Sequence, residues 1–298
     1  MSTISSQEAT KEVFKSGFVT LIGRPSAGKS SLLNALMGKK LAISSPTAQT
    51  TRHRFRAVHT TDSHQIIIVD TPGVHKPHDT LGEELNTTAL KSLEGIDVAA
   101  FVLDASAPFG TGDEWVISQL AQCSMPKLLV LSKIDLVTQE ELDLQRQRAL
   151  EAGQWDGVVA LSSVTGEQID TFIELVEQFL PAGPLWFPAD METDQPIEVI
   201  IAEFIREKIL LTAHDEVPHA VGVVVEDMEY NRRKNLEKIY ASVYVERDSQ
   251  KGIIIGKGGA AIKEVGMQAR NENRILMPAA MKQLLWICAG ILLTFTAV

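Results

Sequence analysis

The stretch GRPSAGKS, residues 23–30, constrains the fold of this chain more than any other feature. It lies between an apolar, strand-like run and an amphipathic run, and its spacing matches the Walker A pattern. In that pattern a glycine-rich loop and a helix N-terminus wrap phosphate groups. We predict that Lys29 reaches the β- and γ-phosphates and that Ser30 binds Mg²⁺. The predicted loop consists of Gly23, Arg24, Pro25, Ser26, Ala27, Gly28, Lys29, Ser30 and Ser31.

Short apolar runs alternate with amphipathic stretches from Gly17 to about Pro181. This alternation predicts an α/β domain with a mostly parallel sheet and helices on both faces. A proline- and acid-rich stretch at 181–196 indicates a linker, and a smaller domain follows it. The predicted strands are GFVTLIG, QIIIVD, VAAFVLDAS, PKLLVLS and GVVALSS, and the predicted helices are SSLLNALMG, GDEWVISQLAQC and TFIELVEQFL.

Composition narrows the class of protein. A length of 298 residues suggests two domains at roughly 150 residues each. The net charge of −10 argues against a protein that coats nucleic acid non-specifically. Cys123 and Cys288 form neither a disulfide framework nor a zinc-binding spacing, which favours the cytoplasm. The polar residues 1–16 lack the apolar run of a signal peptide, and we expect a flexible tail there.

Three later stretches favour guanine as the base. IIIVDTPG ends a predicted strand with Asp70, placed to hold Mg²⁺ through water, and Gly73, whose N–H is placed to contact a γ-phosphate. LVLSKID ends another with Asp135, whose carboxylate can accept hydrogen bonds from both guanine N1–H and the exocyclic amine. VALSSVTG ends a third strand with backbone N–H groups for guanine O6. A metabolic P-loop kinase or ATPase also carries GKS, but SKID and DTPG argue against it. The predicted GTP site adds Asp70, Thr71, Pro72, Gly73, Val74, Ser132, Lys133, Asp135, Ser162 and Ser163.

QTTRH at 49–53 and DTPGVHKP at 70–77 resemble the switch segments of the Era family of ribosome-assembly GTPases. The resemblance runs from about Gly17 to Arg270. It implies that Thr51 binds Mg²⁺ in the GTP-bound state, with Thr50 as the other candidate. Mg²⁺ and GTP or GDP are therefore the expected ligands.

The hydrolysis chemistry has no evident general base. Val74 stands where Ras-like GTPases place the glutamine that orients the attacking water, and valine cannot hydrogen-bond to it. The adjacent His75 is the alternative. We expect slow turnover that rests on positioning and on backbone amides, with Lys29, Thr51 and Gly73 as the catalytic groups.

The second glycine-rich loop, GIIIGKGG at 252–259, also follows an apolar, strand-like run. The resemblance identifies residues 197–274 as an α+β type II KH domain, which implies binding to small-subunit ribosomal RNA near its 3′ end. A GXXG loop approaches the RNA backbone closely because it lacks side chains at its ends. Alone, the loop could equally be a plain glycine turn. The predicted RNA-binding residues are Gly256, Lys257, Gly258, Gly259 and Lys263.

Three serines depart from the family pattern. Ser26 replaces an asparagine that coordinates an activating K⁺ in related GTPases, which weakens the case for K⁺ here. Ser132 replaces the asparagine of NKxD and removes an amide that bridges base and P-loop, so we expect weaker nucleotide affinity. Ser163 replaces an alanine, with little consequence if only its N–H is used.

The last segment, residues 275–298, is apolar and does not match a KH ending. It is too short for a membrane span, since fifteen residues at about 1.5 Å each cover roughly 22 Å of a core of roughly 30 Å. The alternatives are a frameshifted or truncated end, a tail that contacts the inner face of the cell membrane, and an unusual core helix. We expect a KH sheet without its last element.

The full prediction divides the chain into a tail (1–16), a GTPase domain (17–183), a linker (184–196), a KH domain (197–274) and an apolar tail (275–298). We expect a monomer that acts in small-subunit assembly. The alternative is a membrane-associated GTPase switch with an impaired KH domain.

Overall fold

A computed structural model describes residues 13–44, 55–71, 93, 95–212, 221–231, 233, 236–276 and 291–297. Within these ranges the first domain contains six strands, β1 (Lys15–Ile22), β2 (Phe55–Thr60), β3 (His64–Asp70), β4 (Val98–Asp104), β5 (Lys127–Ser132) and β6 (Gly157–Ala160). They form one sheet in the order β2-β3-β1-β4-β5-β6. All neighbouring pairs are parallel except β2 with β3.

The five predicted strands are confirmed as β1, β3, β4, β5 and β6. Their Val, Ile and Leu runs are buried because helices cover both faces of the sheet. The antiparallel edge strand β2 was missed, since FRAVHT mixes charged and apolar residues without a clear period. The first strand begins at Lys15, two residues before the predicted boundary.

Four helices of the described residues cover this sheet, two on each face. They are α1 (Lys29–Leu36), α2 (Thr111–Leu120), α3 (Gln139–Ala152) and α4 (Ile169–Phe179). Leu32 and Leu33 of α1 pack beside Phe172 of α4 on one face. Val116 and Leu120 of α2 pack against the other face.

The linker is anchored to the sheet by Gln65, which is fully buried in β3. Its Oε1 accepts hydrogen bonds from the backbone N–H groups of Trp186 (2.7 Å) and Phe187 (3.0 Å), and its Nε2 donates to the Phe187 carbonyl (2.9 Å). Further along, the Val58 N–H of β2 donates to the Glu192 carbonyl (2.8 Å). The linker therefore follows the edge of the sheet.

The second domain runs in the order α-β-β-α-α-β. Its elements are α5 (Ile197–Thr212), β7 (Val221–Asn231), β8 (Leu236–Val245), α6 (Asp248–Ile255), α7 (Ala260–Leu276) and β9 (Ile291–Ala297). The described sheet has the order β7-β8-β9, with β7 antiparallel and β9 parallel to β8.

Two sequence expectations were wrong in this domain. The apolar run before the second glycine loop is the helix α6 and not a strand, which its short length could not reveal. The C-terminal segment is not a separate tail, because β9 pairs with β8 from Ile239↔Ile291 to Val245↔Ala297. The sheet of the second domain thus has a strand after α7, and α7 itself extends to Leu276.

Helix α5 is buried on two faces between the domains. Ile201, Ile205 and Ile209 join the core of the second domain. Ile200 and Phe204 pack against Ile43 of the first domain. No helix among the described residues is long and apolar enough to cross a membrane.

Candidate functional site

The first glycine loop lies at the carboxyl edge of the sheet, where open α/β sheets bind ligands. A Cβ on Gly23 would lie 2.3 Å from the Val102 carbonyl oxygen of β4, so only glycine fits there. Gly28 has a left-handed φ of 94° at the start of α1. This geometry aims the N-terminal N–H groups of α1 at the space enclosed by the loop, which is what a phosphate requires.

Lys29 is buried and folds back over the loop. Its Nζ donates to the backbone carbonyls of Arg24 (2.8 Å) and Gly23 (3.1 Å). Burial lowers the pKa of Lys29 to about 8 from its ordinary 10.5, while the Asp70 carboxylate acts in the opposite direction. The ammonium group is therefore held inside the loop and would gain strongly from a phosphate beside it.

Ser30 and Asp70 form the predicted metal pair. Ser30 Oγ donates to Asp70 Oδ2 over 2.6 Å, and Asp70 is fully buried at the end of β3. A hydroxyl and a carboxylate are the oxygen ligands that Mg²⁺ prefers, so this pair fits that ion beside the phosphate loop. No cluster of three or more His, Cys, Asp or Glu side chains suited to a metal occurs in the described residues.

The carboxylate that we predict to bind the base, Asp135, is held in place by a serine. Ser162 is fully buried and its Oγ donates to Asp135 Oδ1 over 2.6 Å. The same Oγ accepts from the N–H groups of Val164 and Thr165, both at 3.2 Å. Ser163 is half-buried next to it. The two predicted base-binding stretches thus meet in space. Ser162 acts through its side chain, which sequence reasoning missed, whereas its backbone N–H donates to the Glu167 carbonyl (3.1 Å).

Ser132 retains half of the bridge that we expected it to lose. Its Oγ lies 2.7 Å from the Ala27 carbonyl of the P-loop and 3.1 Å from the Leu103 carbonyl. The hydroxyl therefore ties the end of β5 to the P-loop. A serine has no second polar group to extend toward a base, so the other half of the bridge is missing.

Lys133 spans the P-loop from the opposite side. Its backbone is left-handed (φ 59°), and its Nζ donates to the Ser26 carbonyl (2.8 Å) and Asp104 Oδ2 (2.5 Å). Sequence reasoning missed Asp104 as a partner of Lys133, although a carboxylate at the end of a predicted strand was a signal for it.

Two side chains that we assigned to the nucleotide point elsewhere. Arg24 pairs with Asp113 of α2 (2.7 Å), and Thr71 Oγ1 donates to the Leu21 carbonyl (2.8 Å).

The remaining loop residues, Pro25 and Ser31, lie half-buried beside this site. Some predicted residues lie outside the described part of the chain, namely Thr50, Thr51, Pro72, Gly73, Val74 and His75.

The second glycine loop joins α6 to α7 at the surface. Gly256, Gly258 and Gly259 have left-handed φ values of 71°, 60° and 80°. A Cβ on Gly256 would lie 2.7 Å from Ala261 Cβ. Lys257 and Lys263 are exposed, and the loop therefore presents bare backbone flanked by two cations. This arrangement suits a sugar-phosphate backbone.

Comparisons with known proteins match both halves of the chain. A family model described as 50S ribosome-binding GTPase matches residues 18–133, and one described as KH domain matches residues 216–279. A crystal structure of Era in complex with MgGDPNP and nucleotides 1506–1542 of 16S ribosomal RNA is 32% identical, with a TM-score of 0.86 over 96% of this chain and 94% of that chain. A variant of Aquifex aeolicus Era bound to GDP and AlF4⁻ is 32% identical, with a TM-score of 0.84 over the same shares.

Proposed function

Because the chain belongs to the Era family of GTPases, we propose that it binds GTP and GDP with Mg²⁺, hydrolyses GTP, and binds the 3′ end of small-subunit ribosomal RNA. The observation that carries this proposal is the presence of two glycine loops, each with its own chemistry, in one chain. The contacts of Lys29 within the first loop support a phosphate site, and the left-handed glycines of the loop at Gly256–Gly259 support an approach to an RNA backbone. Assistance in small ribosomal subunit assembly follows as the family's role.

In the nucleotide site, the N–H groups of the P-loop and Lys29 hold the phosphates. Ser30 and Asp70 hold Mg²⁺, which supplies positive charge to the β- and γ-phosphate oxygens. Asp135, oriented by Ser162, accepts from the two adjacent N–H donors of guanine. Thr51 and Gly73 are proposed to complete the γ-phosphate contacts, and we expect slow hydrolysis because Val74 cannot orient water.

The base assignment is tested by replacing the carboxylate. Asp135→Asn presents an amide donor where guanine also donates, and xanthine offers a carbonyl instead of the amine. Competition against a fluorescent nucleotide should show loss of GDP affinity and gain of XDP affinity. Glu167→Gln, a nearby exposed carboxylate with no base-facing role, is the matched control. Unchanged GDP affinity in Asp135→Asn would contradict the assignment of Asp135 as the residue that binds guanine.

The RNA assignment is tested at the exposed loop. Gly258 has a left-handed φ of 60°, which aspartate tolerates better than most residues, and a Cβ added there would meet nothing within 4 Å. Gly258→Asp therefore adds negative charge at little packing cost. We expect weaker binding to an RNA of the segment seen in the related Era complex, with GDP affinity unchanged. Equal RNA affinity for the native protein and Gly258→Asp would show that this loop does not bind the RNA.

We further propose that the protein acts as a cytoplasmic monomer. The membrane-associated alternative relied on an apolar tail free to seek a bilayer. Pairing of Ile291–Ala297 with β8 places part of that segment in the RNA-binding domain, which favours the ribosomal function.

A further inference from the structure

A buried contact joins the segment after α1 to helix α5 of the second domain. We name it the Glu207 contact; it consists of Lys40, Ile43 and Ser44 on the first domain and Phe204 and Glu207 on the second. Neither the nucleotide site nor the RNA loop includes these residues. The first segment of the contact follows the P-loop helix, and the second precedes the RNA loop in sequence.

The centre of this contact is a carboxylate that is only 1% exposed. Glu207 Oε1 accepts from the backbone N–H of Ser44 (2.8 Å), and Oε2 accepts from Lys208 Nζ (2.9 Å) and pairs with Lys40 Nζ. The Lys40 ammonium group also lies 5.4 Å from the centre of the Phe204 ring. A buried carboxylate is stable only while such donors satisfy it, so Glu207 fixes the position of the Ser44 backbone.

An apolar contact surrounds the charged one. Ile43 is 4% exposed and packs with Ile200 and the fully buried Phe204. Because close packing tolerates few intermediate positions, the segment that carries Ile43 either packs against α5 or separates from it.

On the nucleotide side, this segment is tied to the P-loop helix. Asn34 of α1 accepts from the N–H groups of Leu41 (2.8 Å) and Ala42 (2.9 Å) and donates to the Ala42 carbonyl (2.8 Å). Because α1 begins at Lys29 of the P-loop, a displacement of this helix by bound nucleotide would displace the Ser44 end of the contact.

On the RNA side, α5 is packed against the helix that carries the glycine loop. Ile201, Ile205 and Ile209 share one core with Val265 and Ala269 of α7. Helix α7 follows directly from Gly259 and carries Lys263. A shift of α5 would therefore move the loop that is proposed to hold RNA.

We propose that the Glu207 contact transmits the nucleotide state to the RNA-binding domain, with Glu207 as the positioning residue. This inference rests on the proposed function, because it requires both ligands. By linkage, the factor by which GTP changes RNA affinity equals the factor by which RNA changes GTP affinity. Loss of the Glu207 carboxylate should reduce this coupling factor and leave the separate binding sites in place.

The test measures the coupling factor in the full chain. Affinity for a labelled RNA of the segment in the related complex is measured with Mg-GDP and with Mg-GDPNP, and GDPNP affinity is measured with and without RNA. Native coupling is expected at roughly 5- to 150-fold. Glu207→Gln should bring it below about 3-fold, while GDPNP affinity without RNA changes by less than about 3-fold. The control is Glu203→Gln, on the same helix, whose partner is Arg206 of that helix.

Ile43→Ala is the second variant, because it loosens the apolar half without leaving a buried charge unpaired; it decides the outcome if Glu207→Gln fails to fold. Reduced coupling in a folded Glu207→Gln, or in Ile43→Ala if Glu207→Gln does not fold, supports the proposal when Glu203→Gln keeps the native value. Native coupling in the variant that decides the outcome, or equal loss in Glu203→Gln, overturns it. A native chain that binds both ligands without coupling overturns this inference and leaves the proposed function standing. A native chain that binds neither overturns both.

Discussion

At the scale of single residues, the position of Lys29 makes nucleotide binding sensitive to pH. Burial holds its pKa at about 8 in the nucleotide-free protein. Phosphate groups beside the ammonium would raise this pKa, so binding takes up a proton at any pH between the two values. We therefore expect a nucleotide affinity that is flat below about pH 8 and that falls as pH rises above it, by at most about tenfold per pH unit.

Calorimetry of GDP binding from pH 7 to 9, in buffers of different ionisation enthalpy, measures this proton uptake. We expect almost none at pH 7 and close to one proton at pH 9. Lys29→Arg is the control, since a guanidinium stays charged and should give no uptake. A native protein that takes up no proton at pH 9 would show that Lys29 has the same protonation state in the free and the bound protein, which contradicts the prediction.

We predict that Ser132 influences the rate of nucleotide release, because it supplies the link to the P-loop and has no group left for the base. Ser132→Asn restores an amide whose two N–H donors can bond the Ala27 carbonyl and an acceptor atom, N7 or O6, at the edge of guanine. One added hydrogen bond of about 1 kcal/mol should slow GDP release by roughly fivefold. Ser132→Ala should speed release, since the buried Ala27 carbonyl loses its 2.7 Å donor. Stopped-flow release of a fluorescent GDP measures both, and an asparagine variant that releases GDP faster contradicts the prediction.

At the scale of elements, strand β9 supports the RNA-binding domain. Its seven residues pair with β8 from Ile239 to Val245. Deletion of residues 291–298 turns β8 into an edge and leaves its backbone groups without strand partners on that side. We expect faster hydrogen exchange in β8 and weaker RNA binding, with GDP affinity unchanged. Peptides from β1 and β4 serve as internal controls, and unchanged exchange in β8 would mean that β9 contributes nothing to the sheet.

At the scale of the whole molecule, the linker belongs structurally to the GTPase domain. A fragment that ends at residue 183 lacks Trp186 and Phe187, so the buried Gln65 loses three hydrogen bonds. A fragment that ends at residue 196 keeps them. An unsatisfied buried amide lowers the free energy of unfolding by about 1–3 kcal/mol. In a domain of this size each kcal/mol lowers the melting temperature by about 2–4 °C. The shorter fragment should melt on the order of 5 °C lower.

Both fragments should bind GDP equally, because Gln65 lies near the amino end of β3 and the nucleotide site lies at the carboxyl end. Gln65→Ala in the longer fragment should lower its melting temperature toward that of the shorter one. Equal melting temperatures for the two fragments would show that the linker is only a connection.

The sequence by itself determined the parts whose chemistry is local. The spacing from Gly23 to Ser30, the apolar strands and the carboxylates that follow them are read from consecutive residues, because a loop that wraps phosphate needs glycines, lysine and a hydroxyl at fixed steps. The Gly256–Gly259 loop is equally local, although alone it was compatible with a plain turn. These short-range signals were sufficient for the fold class and the family.

Only the tertiary structure decided which distant groups meet. Ser132 reaches Ala27, Ser162 orients Asp135, and Glu207 accepts from the Ser44 backbone across 163 positions of sequence. The pairing of Ile291–Ala297 with β8 is of the same kind, since a strand's partner is set by sheet register and burial and leaves no local motif. Helix α5 is apolar on two faces, but only the packed fold shows that each face belongs to a different domain. Contacts of this kind depend on the whole chain being folded, because each partner is brought into place by elements far away in sequence.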